Sequence, residues 1–184
     1  TDVPGPTMYC LCEDESIIGR AFYVMEFMQG RVIWDQSLPG MDRAQRGAIY
    51  DEMNRVISAL HTVKFAERGL AGYGKPGNYF ERQIGRWSKQ YTASITQPIP
   101  EMDQLMEWLP KNIPSMARDE SMVSIVHGDY RLDNLMFDQQ QPKVIAVLDW
   151  ELSTLGHPLA DFSYHCMAWH IPPGAFRGIG GLDF

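Results

Sequence analysis

Three side chains between residues 127 and 149 have the types and spacing needed for chemistry. Asp129 is followed five residues later by Asn134, and Asp149 comes fifteen residues after Asn134, at the end of an apolar run. A carboxylate can accept a proton from a hydroxyl group, and carboxylate and amide oxygens are hard donors that suit Mg²⁺. Phosphoryl-transfer enzymes combine such a base with such a magnesium clamp. The spacing therefore predicts ATP- and Mg²⁺-dependent transfer of phosphate to a hydroxyl group.

Apolar periodicity predicts the elements that must position these side chains. The pattern after the N-cap residue Asp42 predicts an amphipathic helix to about residue 63. Further helices are expected from the N-cap residue Asn78 to about residue 91, over 101–112, and from Pro158 to about residue 170. Strands are expected over residues 8–12, 18–27, 122–127, 135–137 and 143–149. Asp129 then follows one strand directly, and Asp149 ends another.

Composition limits the classes of protein and partner. The chain has 184 residues, of which 45% are hydrophobic and 21% are charged, as in an ordinary soluble globular domain. Its net charge of −7 and pI near 5.1 argue against a nucleic-acid partner. No apolar stretch reaches 18 residues and no signal-peptide pattern opens the chain, so no membrane partner is expected. The oligomeric state stays open.

The cysteines bear on location. Cys10, Cys12 and Cys166 are an odd number of thiols without metal-ligand spacing. Cys10 and Cys12 alternate along a predicted strand, so both are expected to face the same side. We interpret them as small buried hydrophobic residues rather than as a redox pair. Reduced thiols favour a cytoplasmic location.

The segment from His127 to Asn134, together with the segment from Leu148 to Asp161, resembles the catalytic core of the aminoglycoside phosphotransferase family. The amino-acid sequence of these two segments is most similar to the kinase-like domain of acyl-CoA dehydrogenase fusions and their bacterial relatives. The resemblance implies an α+β, protein-kinase-like fold with a hinge hairpin and a mostly helical catalytic lobe. It also implies ATP and Mg²⁺, and a small-molecule hydroxyl acceptor such as a hydroxy-acid or a hydroxyacyl-CoA.

Roles for individual residues follow from this resemblance. Asp129 resembles the family's catalytic base, and Asn134 and Asp149 resemble its magnesium ligands. His127 matches a histidine that supports the catalytic loop without transferring a proton. Asp161 matches an acidic residue that anchors the same loop through backbone hydrogen bonds.

The resemblance also predicts a nucleotide-binding hinge and a domain boundary. Glu26 and Met28 are expected to hydrogen-bond the adenine through their backbone C=O and N–H groups. Residues 1–29 would end the N-terminal lobe, and residues 30–184 would form the catalytic lobe, shortened at its C-terminal end. The N-lobe would be largely missing, with its phosphate loop and lysine, so we expect this chain alone to be inactive.

Arg131 lies two residues after Asp129, where protein kinases place a lysine that faces the transferred phosphate. A guanidinium group there could stabilise charge on the γ-phosphoryl group, so Arg131 is a candidate catalytic residue. The alternative is a salt bridge to Asp133 or Glu151. The sequence does not decide between them.

Two motifs separate the chain from protein kinases. His127-Gly128-Asp129 replaces His-Arg-Asp, and Asp149-Trp150-Glu151 replaces Asp-Phe-Gly. A small-molecule acceptor is therefore expected rather than a protein. Two other functions remain as alternatives: a nucleotide-binding pseudokinase without transfer activity, and a two-metal phosphoesterase.

Overall fold

The chain folds as an α+β protein in a computed structural model that describes residues 1–119 and 121–183. In chain order the strands are β1 (Met8–Cys12), β2 (Phe22–Met25), β3 (Arg31–Val32), β4 (Ser124–Val126), β5 (Leu135–Phe137), β6 (Val144–Val147) and β7 (Thr154–Gly156). The α-helices are α1 (Arg43–His61), α2 (Tyr79–Ser94), α3 (Pro100–Trp108) and α4 (Pro158–Cys166). Short 3₁₀ turns connect several of them, including Leu132–Asn134, Trp150–Leu152 and Met167–His170.

The strands form three small antiparallel sheets. The predicted hairpin is confirmed as β1 paired with β2, although its second strand is shorter than residues 18–27. A second sheet has the order β3-β5-β6, and a third pairs β4 with β7. β3 and β7 were not predicted, because segments of two and three residues are too short to show a period of two.

Helix α1 organises the core. Its N-cap is confirmed: the Asp42 carboxylate accepts from the Gln45 N–H at 2.8 Å, and the Gln45 side chain accepts from the Asp42 N–H at 2.9 Å. The predicted buried face is also confirmed, with Ile49, Met53, Val56, Ile57 and Leu60 all buried. It packs against β5 and β6 in the principal core cluster, which includes Leu135, Phe137, Val144 and Val147.

The other helices agree with the sequence predictions except at their ends. Asn78 precedes α2, but its φ of 47° is left-handed and its side chain makes no capping hydrogen bond, so the predicted cap is wrong. His157 caps α4 instead, accepting from the Leu159 N–H through Nδ1 at 3.2 Å. None of the helices in the described residues is long and apolar enough to cross a membrane.

The interpretation of the cysteines as buried residues is wrong for the hairpin. Cys10 is exposed and Cys12 is partly exposed, because one two-stranded sheet leaves most of its side chains in solvent. Cys10, Cys12 and Cys166 are all free thiols.

Candidate active site

The loop between β4 and β5, residues 127–134, carries the candidate catalytic residues and turns sharply at Gly128. Gly128 has φ 84°, and a Cβ added there would lie 2.7 Å from the Leu152 carbonyl oxygen. Any larger residue would be both strained and too close to that backbone. This is a physical reason for the glycine that distinguishes the His-Gly-Asp motif from that of protein kinases.

Asp161, near the start of α4, fixes the backbone conformation of this loop. Its side chain is 1% exposed. Its carboxylate accepts from the backbone N–H groups of His127 (2.6 Å) and Gly128 (2.8 Å), and His61 Nε2 lies 3.0 Å from Oδ2. Hydrogen bonds to a charged acceptor are among the stronger ones in proteins. The turn at Gly128 is therefore held by a carboxylate on a separate element.

His127 connects the loop to the strand that ends before Asp149. The ring is fully buried, and its Nε2 donates to the Leu148 carbonyl oxygen at 2.7 Å. Its Nδ1 accepts from the Asp129 N–H at 3.2 Å. The two bonds require a proton on Nε2 and none on Nδ1, so His127 is the neutral Nε2–H tautomer. Both ring nitrogens are occupied by backbone partners.

Asp129 projects from this loop with its side chain 19% exposed. The Asn134 side-chain N–H₂ donates to both the Asp129 carbonyl oxygen (2.8 Å) and the carboxylate Oδ2 (2.9 Å). Tyr164 is a further neighbour of this carboxylate: burial, followed by hydrogen bonding to Asp129 and its negative charge, raises the pKa of Tyr164. The carboxylate is thus oriented by the Asn134 amide, with Tyr164 and Arg131 as further neighbours.

The two candidate magnesium ligands lie at the same end of the β5–β6 pair. The Leu148 N–H donates to the Asn134 carbonyl oxygen at 2.8 Å, which brings Asp149 next to Asn134. Asp149 is exposed and has left-handed backbone angles of φ 62° and ψ 62°. Because the Asn134 N–H₂ group is bound to Asp129, its amide oxygen remains to act as a ligand. Within the described residues no three His, Cys, Asp or Glu side chains cluster for a metal.

This donor set fits Mg²⁺ bound through substrate phosphates. Mg²⁺ usually takes one or two protein oxygens, with phosphate and water oxygens completing its octahedron. An Asp and an Asn at one strand end provide those oxygens without the nitrogen or sulfur ligands that zinc prefers.

Arg131 pairs with two carboxylates of the same loop. Its Nε lies 3.2 Å from Asp129 Oδ2 and 3.5 Å from Asp133 Oδ1. These ion pairs are with Asp129 and Asp133 and not with Glu151, the other partner that the sequence suggested. Neither contact has hydrogen-bond geometry, and within the described residues this buried Nε has no hydrogen-bond partner. The salt-bridge alternative for Arg131 is therefore observed with Asp133, and the candidate base is an additional partner.

Arg177 is a charged residue at the site that sequence reasoning missed. Its Nη1 lies 2.5 Å from Asp133 Oδ1, and Asp133 is itself 3% exposed. The contact joins the catalytic loop to a glycine-rich segment more than 40 residues later. No local pattern marks such a pair, since it depends on how that segment folds back.

A cavity of about 610 Å³ opens beside the catalytic loop, between α2 and α4. One wall is formed by Gly128, which directly precedes Asp129 in the chain, together with Asp161 and Tyr164. The opposite wall is largely aromatic, and Arg86 gives it one positive charge. It is formed by Tyr79, Phe80, Gln83, Arg86 and Trp87. The Arg86 guanidinium lies 5.6 Å over the Trp87 ring.

The predicted hinge residues follow β2 and lead into β3 of the β3-β5-β6 sheet. The Glu26 carboxylate accepts from the Thr7 N–H (3.1 Å) and hydroxyl (2.9 Å), so it is occupied within the hairpin. Met28 is partly buried. Val32 of β3 then pairs with Met136 of β5, which connects this segment to the strand that follows Asn134.

Comparison with known proteins identifies the family. A model of the phosphotransferase enzyme family (APH) matches residues 1–181. The chain belongs to this family.

Curated relatives match over nearly the whole chain but are much longer. Acyl-CoA dehydrogenase family member 10 of Mus musculus is 48% identical over 98% of this chain and 17% of its own length. Acyl-CoA dehydrogenase family member 11 of Homo sapiens is 45% identical over 92% of this chain and 21% of its own length. The chain thus spans about a fifth of these curated relatives, and the predicted resemblance to acyl-CoA dehydrogenase fusions is confirmed.

Solved structures confirm the predicted fold. A Ralstonia eutropha JMP134 protein named after the aminoglycoside phosphotransferases is 69% identical, with a TM-score of 0.93 over 100% of this chain and 55% of its own. The aminoglycoside phosphotransferase APH(4)-Ia, solved in a ternary complex with ADP and hygromycin B, has a TM-score of 0.62 over 92% of this chain and 57% of its own. At 15% identity, this second likeness is one of fold alone.

Proposed function

We propose that this chain is the catalytic part of an ATP- and Mg²⁺-dependent O-phosphotransferase that acts on a small-molecule hydroxyl group. The observation that carries the proposal is the Asp129 carboxylate, oriented by Asn134 at 2.9 Å beside a cavity large enough for a small acceptor. Membership of the phosphotransferase family supports the reaction type. We propose that residues 1–29 end an N-terminal lobe and residues 30–184 form the catalytic lobe.

Asp129 is the proposed general base. As the acceptor oxygen attacks the γ-phosphorus of ATP, its proton moves to a carboxylate oxygen of Asp129. The bond between the γ-phosphorus and the β,γ-bridging oxygen breaks, and ADP leaves with that oxygen. Asn134 and Tyr164 keep the carboxylate directed, which matters because catalysis of this kind depends on positioning. His127 takes no part in proton transfer, because both of its ring nitrogens are occupied.

Asn134 and Asp149 are the proposed magnesium ligands, through the free amide oxygen and the exposed carboxylate. Bound Mg²⁺ would neutralise charge on the phosphate groups. Glu26 and Met28 are proposed to contact the adenine through their backbone, as hinge residues do in this fold. The ADP bound by APH(4)-Ia supports a nucleotide in a protein of the same fold.

Arg131 is the proposed cation for the transferred phosphoryl group. Its Nε is held by ion-pair contacts only, without a hydrogen bond of good geometry among the described residues. A guanidinium group that turned from Asp129 toward the phosphate would stabilise charge in the transition state.

The cavity supports an apolar, neutral or anionic acceptor rather than a polycationic one. Its aromatic wall suits a hydrocarbon portion, and Arg86 supplies a positive charge for an anionic group. Its carboxylate, Asp161, is buried and already accepts two backbone N–H groups. A hydroxy-acid or hydroxyacyl-CoA fits these properties, and the similarity to proteins named as acyl-CoA dehydrogenases supports the same class.

The proposal is tested by measuring transfer from γ-labelled ATP to a panel of hydroxylated acids and acyl-CoA esters, using the full-length protein. Asp129→Asn should reduce transfer at least about a hundredfold, the usual contribution of a general base, while leaving MgATP affinity nearly unchanged. Asp51→Asn, which removes an exposed carboxylate on α1, is the matched control. Unchanged transfer in the Asp129 variant would refute the assignment.

A further inference from the structure

The segment that carries Arg177 is folded against the 3₁₀ turn Met167–His170, which follows α4. The Ile179 N–H donates to the Ala168 carbonyl oxygen and the Gly180 N–H to the Ile171 carbonyl oxygen, both at 2.9 Å. Ile179 is 2% exposed, so the base of the segment belongs to the folded interior. These contacts fix the position from which Arg177 reaches the catalytic loop.

The tip of this segment has strained backbone geometry. Phe176 and Arg177 have φ of 29° and 60°, a region that non-glycine residues rarely adopt. Strain of this kind persists where the surrounding structure holds it, and it often occurs at functional sites. Here the strained residue is the one whose guanidinium contacts a buried carboxylate.

Two cations share that carboxylate. Asp133 Oδ1 lies 2.5 Å from Arg177 Nη1 and 3.5 Å from Arg131 Nε, and the same Arg131 Nε lies 3.2 Å from Asp129 Oδ2. The four formal charges sum to zero. Arg177 holds Asp133 at the shorter distance, and Arg131 holds it at the longer one.

We propose that Arg177 is a positioning residue that frees Arg131 to face the transferred phosphoryl group. If Arg131 were the sole partner of Asp133, its movement would leave a buried carboxylate unpaired, which is strongly unfavourable. Because Arg177 remains on Asp133, Arg131 can exchange its carboxylate contacts for the phosphoryl oxygens without that penalty. The role of Arg177 rests on the proposed function of Arg131.

The test uses the full-length protein with MgADP and aluminium fluoride, a mimic of the planar phosphoryl group, so no acceptor has to be known. Affinity for MgADP alone and for MgADP with fluoride is measured by titration calorimetry. Arg131→Gln and Arg177→Gln should each weaken the fluoride complex about tenfold, the value of one hydrogen bond to a charged group, with little effect on MgADP alone. Arg68→Gln, which changes an exposed arginine in the 3₁₀ turn Ala66–Arg68, is the control.

The double variants separate positioning from simple structural support. Adding Asp133→Asn to Arg177→Gln should restore fluoride affinity, because the buried carboxylate that Arg131 would otherwise have to neutralise is then removed and only the Asp129 contact remains. Adding Arg131→Gln to Arg177→Gln should cause little further loss, since both act through one guanidinium group. Independent, additive losses, or no rescue by Asp133→Asn, would overturn the role of Arg177. No binding of MgADP by the wild type would instead overturn the proposed function.

Discussion

The side-chain amide of Asn134 donates to the Asp129 carboxylate at 2.9 Å, so the proposed metal ligand also orients the proposed base. The same N–H₂ group donates to the Asp129 backbone carbonyl at 2.8 Å. A single residue therefore determines both the shape of the catalytic loop and the direction of its carboxylate. Its amide oxygen stays available to the metal because its nitrogen is used in this way.

Asn134→Ala should therefore reduce stability as well as phosphoryl transfer. It removes two hydrogen bonds, one of them to a charged group, and should lower the free energy of unfolding by about 1–3 kcal/mol. Urea denaturation measures that change, and MgATP titration measures the effect of removing the Asn134 amide oxygen, a proposed magnesium ligand. Asn54→Ala, on the exposed face of α1, should change stability by no more than about 0.5 kcal/mol. Equal stability of the two variants would contradict the structure of this loop.

Gly128→Ala should distort the catalytic loop. The added methyl group would lie 2.7 Å from the Leu152 carbonyl oxygen at a φ of 84°, so we expect a loss of about 1–3 kcal/mol and a large fall in transfer. Gly47→Ala is the matched control, because Gly47 lies inside α1 with nothing within 4 Å of its added Cβ. That variant should gain up to about 1 kcal/mol in the same urea experiment.

Tyr164→Phe should impair the base without removing the cavity wall. Burial first, and then hydrogen bonding to Asp129 and its charge, raise the pKa of Tyr164, so we expect its hydroxyl to support the Asp129 carboxylate. Loss of that donor should lower kcat about tenfold. In an Asp129→Asn background the same substitution should have almost no effect on kcat. A tenfold effect in both backgrounds would mean that Tyr164 acts independently of Asp129.

His165 gives the protein a pH-dependent stability. Burial lowers its pKa, and its ring lies between Tyr50 and Tyr130, with centroids 6.4 and 5.9 Å away. Because the folded pKa is below the unfolded value of about 6.5, the unfolded chain binds more protons as the pH falls below that value. The stability contributed by neutral His165 is present above about pH 6.5 and is lost as the pH falls through its folded pKa.

His165→Gln should accordingly reduce the dependence of stability on pH. The difference in unfolding free energy between wild type and variant should narrow from pH 7 to pH 5 in urea titrations. His170→Gln, which changes an exposed histidine in the adjoining 3₁₀ turn, is the matched control in the same titrations. A difference that widened toward pH 5 would contradict the neutral state of His165.

The sequence predicted what is encoded locally. Helix α1 was predictable because Asp42 and Gln45 form a capping box and its apolar residues recur at helical spacing. The hairpin and β5 were predictable from alternation between turn signals. The resemblance named the family because its motif residues are close together in the chain, between His127 and Asp161.

The parts that were missed depend on contacts between distant segments. β7 pairs with β4 through only three residues, and its strand character comes from that pairing. The contact of Arg177 with Asp133 requires the last segment to fold back on the catalytic loop. Asn78 is a residue type typical of helix caps, but it adopts a left-handed conformation, whereas capping residues usually have extended backbone angles.

Leu148 has an importance that its side chain does not reveal. Its N–H donates to the Asn134 carbonyl oxygen and its own carbonyl oxygen accepts from His127 Nε2. Both main-chain polar groups of Leu148 are therefore bound by the loop of residues 127–134. The proposed base and the proposed metal carboxylate are consequently connected through main-chain hydrogen bonds. Substitutions that change only the side chain at this position would preserve these two hydrogen bonds. Proline lacks the N–H and would remove the hydrogen bond to Asn134. An alanine scan would therefore overlook a residue on whose main chain the geometry of the whole site depends.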